Sequence, residues 1–190
     1  FQACLAVKYL SKCHQCRIKF VKCHGLEPLL ELSTVDHLET KRELAASLRN
    51  ISLSNETKVE IMKSGIDYIT TLCRDSDSEV SWQACGVIAN ISEKQENKVL
   101  MVENGIVHHL QAAMSFSKDV QILRESVRSF ASLSSAIENI SALISSGVLG
   151  SLVHALSAND ILCRRFAAMA ISNLAINTEM HFRIIHEVGM

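Results

Sequence analysis

The chain has 190 residues, 48% of them apolar and 5% aromatic, with 20 acidic side chains against 19 basic ones and a formal net charge of -1. That balance excludes a whole-molecule electrostatic attraction to nucleic acid or an anionic membrane, and no apolar run approaches the roughly 18 residues a membrane span needs. A single proline and 7 glycines argue against long linkers, low-complexity tails or a strand-rich fold.

In chain order, Phe1 to about Ser11 carries Leu5, Val7 and Leu10 and reads as the end of a long helix. Cys13 to Cys16 is a loop, Ile18 to Val21 a short helix and Gly25 a turn. Pro28 opens the following helix, where a missing amide proton costs nothing. A pattern then repeats, clearest from Glu79 to Gly105. Val80, Ala84, Val87, Ile88 and Ile91 form one buried stripe of a long helix, and Asn90 closes it. Val99, Leu100 and Val102 belong to a shorter helix, which Gly105 ends with a positive φ. A third short helix follows.

The same pattern runs from Glu43 to Gly65, from Arg124 to Gly147 and from Arg164 to Gly189. The turn glycines Gly25, Gly65, Gly105, Gly147 and Gly189 are spaced by 40, 40, 42 and 42 residues. Such a period with three helices per unit signals a solenoid, and periodicity alone leaves HEAT and armadillo repeats both open. The expected organisation is a single array over 1–190: a partial repeat at 1–25, then repeats at about 26–65, 66–105, 106–147 and 148–189. An opening at Phe1 inside a helix and an end just past a turn glycine read as a segment of a larger protein. The uncovered apolar face of the last repeat, with Ile184, Ile185 and Val188, predicts self-association through a terminal repeat.

The residues decide between the two repeat types. A long helix ending in Asn50-Ile51-Ser52, Asn90-Ile91-Ser92 or Asn173-Leu174-Ala175, a polar loop, a short apolar helix, then Gly65-Ile66 or Gly105-Ile106 resembles the armadillo repeat. The resemblance covers nearly the whole chain. It implies an all-α, right-handed superhelical solenoid of three-helix armadillo repeats whose long third helices line a concave groove. It also implies that the asparagine near the end of each third helix hydrogen-bonds the main chain of an extended peptide, since a side-chain amide offers both donor and acceptor. Those positions are Asn50, Asn90 and Asn173, with Ser132 in the remaining complete groove helix and Tyr9 in the partial one.

Four and eight residues earlier on the same helical faces stand Ala46 and Arg42, Gly86 and Trp82, Arg128 and Arg124, and Met169 and Arg165. Four arginines and the sole tryptophan on one stripe predict a locally basic groove suited to carboxylates. Glu43 and Glu125 are adjacent, and arginines on a helix are as often paired or merely solvated. In importin α, a tryptophan four residues before the asparagine forms slots for the lysines of a basic signal. Ala46, Gly86, Arg128 and Met169 occupy that position here, so the chain is more similar to the β-catenin class, which holds acidic extended segments.

The expected function is a non-enzymatic protein-protein interaction scaffold of the cytoplasm, the nucleus or the cytosolic face of an organelle, binding an extended acidic peptide segment in its groove. Alternatives are an acylated, organelle-tethering scaffold of the vacuole-tethering type and a regulatory module of a larger enzyme such as a ubiquitin ligase. No phosphate-binding glycine loop, nucleophile elbow or framed carboxylate pair appears, and no cofactor, nucleic acid or small-molecule substrate is expected. Cys13-His14-Gln15-Cys16 with Cys23-His24 has the ingredients of a zinc site, but the first pair maps to an ordinary inter-repeat loop, and no metal is assigned. Cys85 and Cys163 at core-facing positions fit a reducing compartment.

Overall fold

Over residues 1–116, 118–178 and 181–187, which the computed structural model describes, the regular elements are all helices. Two compact units divide the chain, Phe1–Asn97 and Lys98–Met190.

The first unit contains α1 (Gln2–Leu10), α2 (His14–Lys22), α3 (Leu26–Glu31) with a 3-10 turn at Leu32–Thr34, α4 (Leu38–Ile51), α5 (Lys58–Cys73), α6 (Ser78–Ser92) and the start of α7 (Gln95–Glu103). Helix α4 packs against both α1 and α6, and α5 lies on α6 and α3. The apolar stripe of α4 places Leu44, Ala45, Leu48 and Ile51 in the core. From Ala84 to Ser92, α6 is buried on every side; alanine, glycine, cysteine and serine there let neighbouring helices approach closely.

Two of the expected glycine turns differ. Gly65 lies inside the continuous helix α5, so the two short helices of that repeat run on as one. A Cβ at Gly65 would stand 3.2 Å from the Leu30 side chain, and the residue serves close packing rather than a bend. At the first turn the left-handed conformation belongs to His24 (φ 56), while Gly25 has φ -76. Gly105 (φ 74) and Gly147 (φ 72) turn as expected.

The second unit holds the rest of α7, α8 (Ile106–Phe116), α9 (Val120–Leu133), a 3-10 turn at Ile137–Asn139, α10 (Ile140–Ser145), α11 (Val148–Leu156), α12 (Ile161–Leu174) and α13 (His181–Glu187). Helices α9 and α12 lie side by side, with α8 on α9 and α11 on α12. Phe130, Ile122, Val127 and Leu133 form the buried stripe of α9. Phe182 and Ile185 of α13 are exposed; the Ile184 side chain, Val188 and Gly189 lie outside the described residues. No single helix among the described residues is long and apolar enough to cross a membrane.

Three of the long helices, α6, α9 and α12, start alike. Asp77 accepts from the Val80 N–H at 3.1 Å, Asp119 from Gln121 at 2.8 Å and Asp160 from Cys163 at 2.8 Å; each satisfies an amide the first turn leaves unpaired. The loops after α6 and α9 close alike too. Asn97 Nδ2 donates to the carbonyls of Lys58 and Ile91, and Asn139 Nδ2 to those of Lys98 and Leu133. One side chain in each loop therefore ties its own helix end to the preceding repeat.

Candidate functional site

The expected ladder residues sit on the last turns of the long helices, and their amide nitrogens are used inside the protein. Asn50 Nδ2 donates to the Lys8 carbonyl and the Ser11 hydroxyl, both at 3.2 Å. Asn173 Nδ2 donates to the Ala131 carbonyl at 3.2 Å and the Ser134 hydroxyl at 3.1 Å. Asn90, 5% exposed, donates to Ser52 Oγ at 2.8 Å. Each serine in turn donates to the carbonyl three residues before it. A carbonyl can only accept, so the nitrogens of Asn50 and Asn173 must face it, and that settles each amide's orientation. The expectation of an amide offering donor and acceptor to a ligand is corrected by half: the donor stitches repeats together. Oδ1 of Asn50 and of Asn173 accepts no hydrogen bond among the described residues. Ser132 is half-buried on α9, and Tyr9 is exposed with the Lys12 ammonium 4.9 Å from its ring.

The arginine stripe divides in two. Arg42 binds Asp77 through Nε to Oδ1 at 3.2 Å and Nη2 to Oδ2 at 2.6 Å, with Glu79 at 3.5 Å. Arg124 binds Asp160 in the same two-pronged way. Both aspartates are the N-caps of the next long helix of their own unit. The guanidinium of Arg42 holds the Asp77 carboxyl below its ordinary value, and that of Arg124 takes Asp160 well below it. These two arginines fasten helix starts and are not free to meet a ligand, which amends their assignment as carboxylate receptors. Arg128 lies 3.3 Å from Glu125, whose side chain is nearly buried. Arg165 is exposed and has no ion-pair partner among the described residues, with exposed Met169 one turn along α12.

Trp82 is half-buried on α6, and its partner is a residue the sequence reading missed. The Arg49 guanidinium carbon stands 4.6 Å from the Trp82 ring centroid, within the range of a cation–π contact. Gly86, one turn beyond, provides the space: a Cβ there would come within 2.6 Å of that guanidinium carbon. Arg49 immediately precedes Asn50, and Trp82 and Gly86 precede Asn90 by two turns and one. A tryptophan and a glycine spaced by four on one long helix, with an arginine at the end of the previous one, are the legible signal. Chemically the arrangement is a flat cation-aromatic layer.

No group of three histidine, cysteine or acidic side chains able to hold a metal occurs among the described residues. No family model matches the chain. It is 30% identical over 103 residues to the armadillo repeat-containing protein wrm-1 of Caenorhabditis briggsae, over 54% of this chain and 13% of that protein. It is 32% identical over 77 residues to Vacuolar protein 8 of Candida albicans, over 40% of this chain and 13% of that protein. The matches thus span about an eighth of each relative. Among solved structures, computationally designed armadillo repeat proteins for modular peptide recognition superpose with a TM-score of 0.91 at 23% identity, over 98% of this chain and 80% of theirs. A designed armadillo repeat protein in complex with the peptide (KR)4 gives 0.88 at 24% identity, over 98% and 80%. Likeness of fold over nearly the full length gives this chain the all-α fold of the armadillo repeat.

Proposed function

We propose that the chain is a non-enzymatic interaction scaffold whose long-helix faces hold an extended, acidic segment of a partner protein. The observation that carries this reading is the orientation of Asn50 and Asn173: their nitrogens are consumed internally, and their amide oxygens stand ready to accept the backbone N–H groups of an extended chain. Arg165 beside Asn173, and Arg49 stacked on Trp82 beside Asn50, supply positive charge for carboxylates. Arg128 adds to the second unit, and Arg42 and Arg124 act only by positioning helices. Arginines on this stripe disfavour a basic ligand such as the one bound by the designed neighbour. The buried thiols Cys4, Cys73, Cys85 and Cys163 support a reducing compartment, cytosol or nucleus.

The test is fluorescence anisotropy with two labelled peptides, an alternating glutamate-serine peptide and (KR)4. The acidic peptide should bind about tenfold more tightly at low salt, and added salt should weaken it. Combined Asn173→Ala and Arg165→Ala should weaken it further while the helical circular dichroism is kept. Tighter binding of (KR)4, or acidic-peptide binding indifferent to the paired substitutions, would overturn the reading.

A further inference from the structure

The seven cysteines fall into two groups. Cys4, Cys73, Cys85 and Cys163 are buried, whereas Cys13 and Cys23 are exposed and Cys16 is half-buried. Cys13 is the N-cap of the nine-residue helix α2 (φ -82, ψ 128), and Cys16 is the third residue of that helix. The two thiols therefore belong to the same helix end. At α6 and α12 the N-cap is an aspartate accepting a first-turn amide; at α2 the N-cap side chain is the Cys13 thiol. On its other side Cys16 forms part of the wall of an apolar cavity of about 250 Å³ between α1 and α2, with Val7, Leu10, Phe20 and Cys23.

We propose that Cys13 and Cys16 form a thiol-disulfide exchange site whose co-reactant is a low-molecular-weight disulfide of the glutathione disulfide class. Cys13 is the attacking sulfur and Cys16 the resolving one. The Cys16 backbone N–H and thiol, then the Gln15 N–H, favour the Cys13 thiolate, and the same contact pushes the Cys16 thiol up. Exposure gives Cys13 access to the co-reactant. Cys23 is not the resolving partner: seven helical residues put it about 10 Å along the axis from Cys16, and farther from Cys13, beyond the reach of a disulfide.

The exchange balances in two steps. The Cys13 thiolate attacks one sulfur of glutathione disulfide; that S–S bond breaks, and one glutathione leaves as thiolate and takes up the Cys13 proton. Cys16 then loses its proton and attacks the Cys13 sulfur of the mixed disulfide. The second glutathione leaves and is protonated. The protein loses two electrons and two protons, and one glutathione disulfide becomes two glutathiones. Arg17 and His14, which flank the pair in sequence, both contact Ser54 Oγ, at 2.8 and 3.0 Å, so the new bond is made at the end of α2 that is held to the following repeat.

The experiment uses the whole chain with Cys23→Ser, equilibrated in glutathione and glutathione disulfide, then read by intact mass and peptide mapping. The expected product has lost two hydrogens, carries no glutathione and contains a Cys13–Cys16 link. Adding Cys16→Ser should trap one glutathione on Cys13, and Cys13→Ser should slow glutathione uptake at Cys16 about tenfold or more relative to Cys13. With Cys23 restored, the link should stay between Cys13 and Cys16. A link involving Cys23, glutathione held on both cysteines without an intramolecular link, or equal uptake in the two single variants would overturn the proposal. Circular dichroism of each variant separates these outcomes from unfolding.

Discussion

Arg124 grips Asp160 with two nitrogens on two oxygens, and one unit earlier Arg42 grips Asp77 in the same way. The arginine stands eight residues before the ladder position of one long helix, and the aspartate caps the next. Asp160 has two tasks, accepting the Cys163 amide at 2.8 Å and the Arg124 guanidinium, so its loss is felt twice. Asp160→Ala should destabilise the second unit by about 1 to 2 kcal/mol, most of it the cap. Arg124→Ala should cost about 0 to 1 kcal/mol, because the pair is partly solvated. Thermal melts of both variants check the order. An arginine variant that melts below the aspartate variant would mean that the cap matters less than the pair.

The same pairs set an acid response. Hydrogen bonds from the arginines, helped by the cap amides, hold both aspartates below the ordinary carboxylate value when folded. A lowered folded value means the unfolded chain binds the proton more readily. The stability the carboxylates contribute is complete above about pH 4 and drains away as the pH falls below it. Melting temperature followed from about pH 5 down to about pH 2 should therefore decline, and decline less steeply in Asp160→Asn, which has no charge to lose. Parallel curves for the two proteins would contradict this assignment.

Trp82 gives a direct optical report on Arg49, since it is the only tryptophan in the chain. Gly86→Ala should push the guanidinium off the ring, because the new methyl would overlap it, and the emission of Trp82 should change. Arg49→Ala should reproduce that change. The displaced atoms are the far end of a flexible side chain, and alanine favours helix by about 1 kcal/mol over glycine, so the melting temperature should not fall. An emission spectrum indifferent to both substitutions would show that the stack does not persist in solution.

Asn50 and Asn173 separate a structural role from a binding one. In the absence of ligand, Asn173→Ala should cost about 1 kcal/mol through loss of its bonds to Ala131 and Ser134. Asn173→Asp should cost more, since a carboxylate oxygen would then face the Ala131 carbonyl. Equal melting temperatures for the wild type and both variants would remove the stitch from the argument.

The repeats, the long-helix stripes and the positions of Asn50, Asn90 and Asn173 were legible because helical period and repeat length act locally and leave a regular imprint. Pairings across repeats were not. Asp77 and Asp160 each stand just before a long helix in plain view, yet only packing brings them to arginines 35 and 36 residues away. Gly65 and Gly86 read as a turn and as a helix interior; their reasons are the Leu30 side chain and the Arg49 guanidinium, both supplied by other helices. The amide orientation of the ladder was hidden for the same reason, since it depends on the carbonyls of Lys8 and Ala131.

Thiol reactivity should divide the cysteines as burial does. Burial first, then the neighbouring Asp160, pushes the Cys163 thiol up to about 12. Against an ordinary thiol near 9, that leaves about a thousandfold less thiolate at neutral pH. Cys73, in contact with Cys85 at 3.0 Å and enclosed by the core, is also raised, by that contact and by burial, and Cys4 is raised chiefly by burial. Alkylation of the native chain should therefore label Cys13, Cys16 and Cys23 and spare Cys4, Cys73, Cys85 and Cys163, whereas denaturant should expose all seven. Rates measured across a urea series should show the four protected thiols appearing with the loss of helical signal. Labelling of Cys163 or Cys73 at the rate of Cys23 in native buffer would mean that α12 or α5 opens without global unfolding.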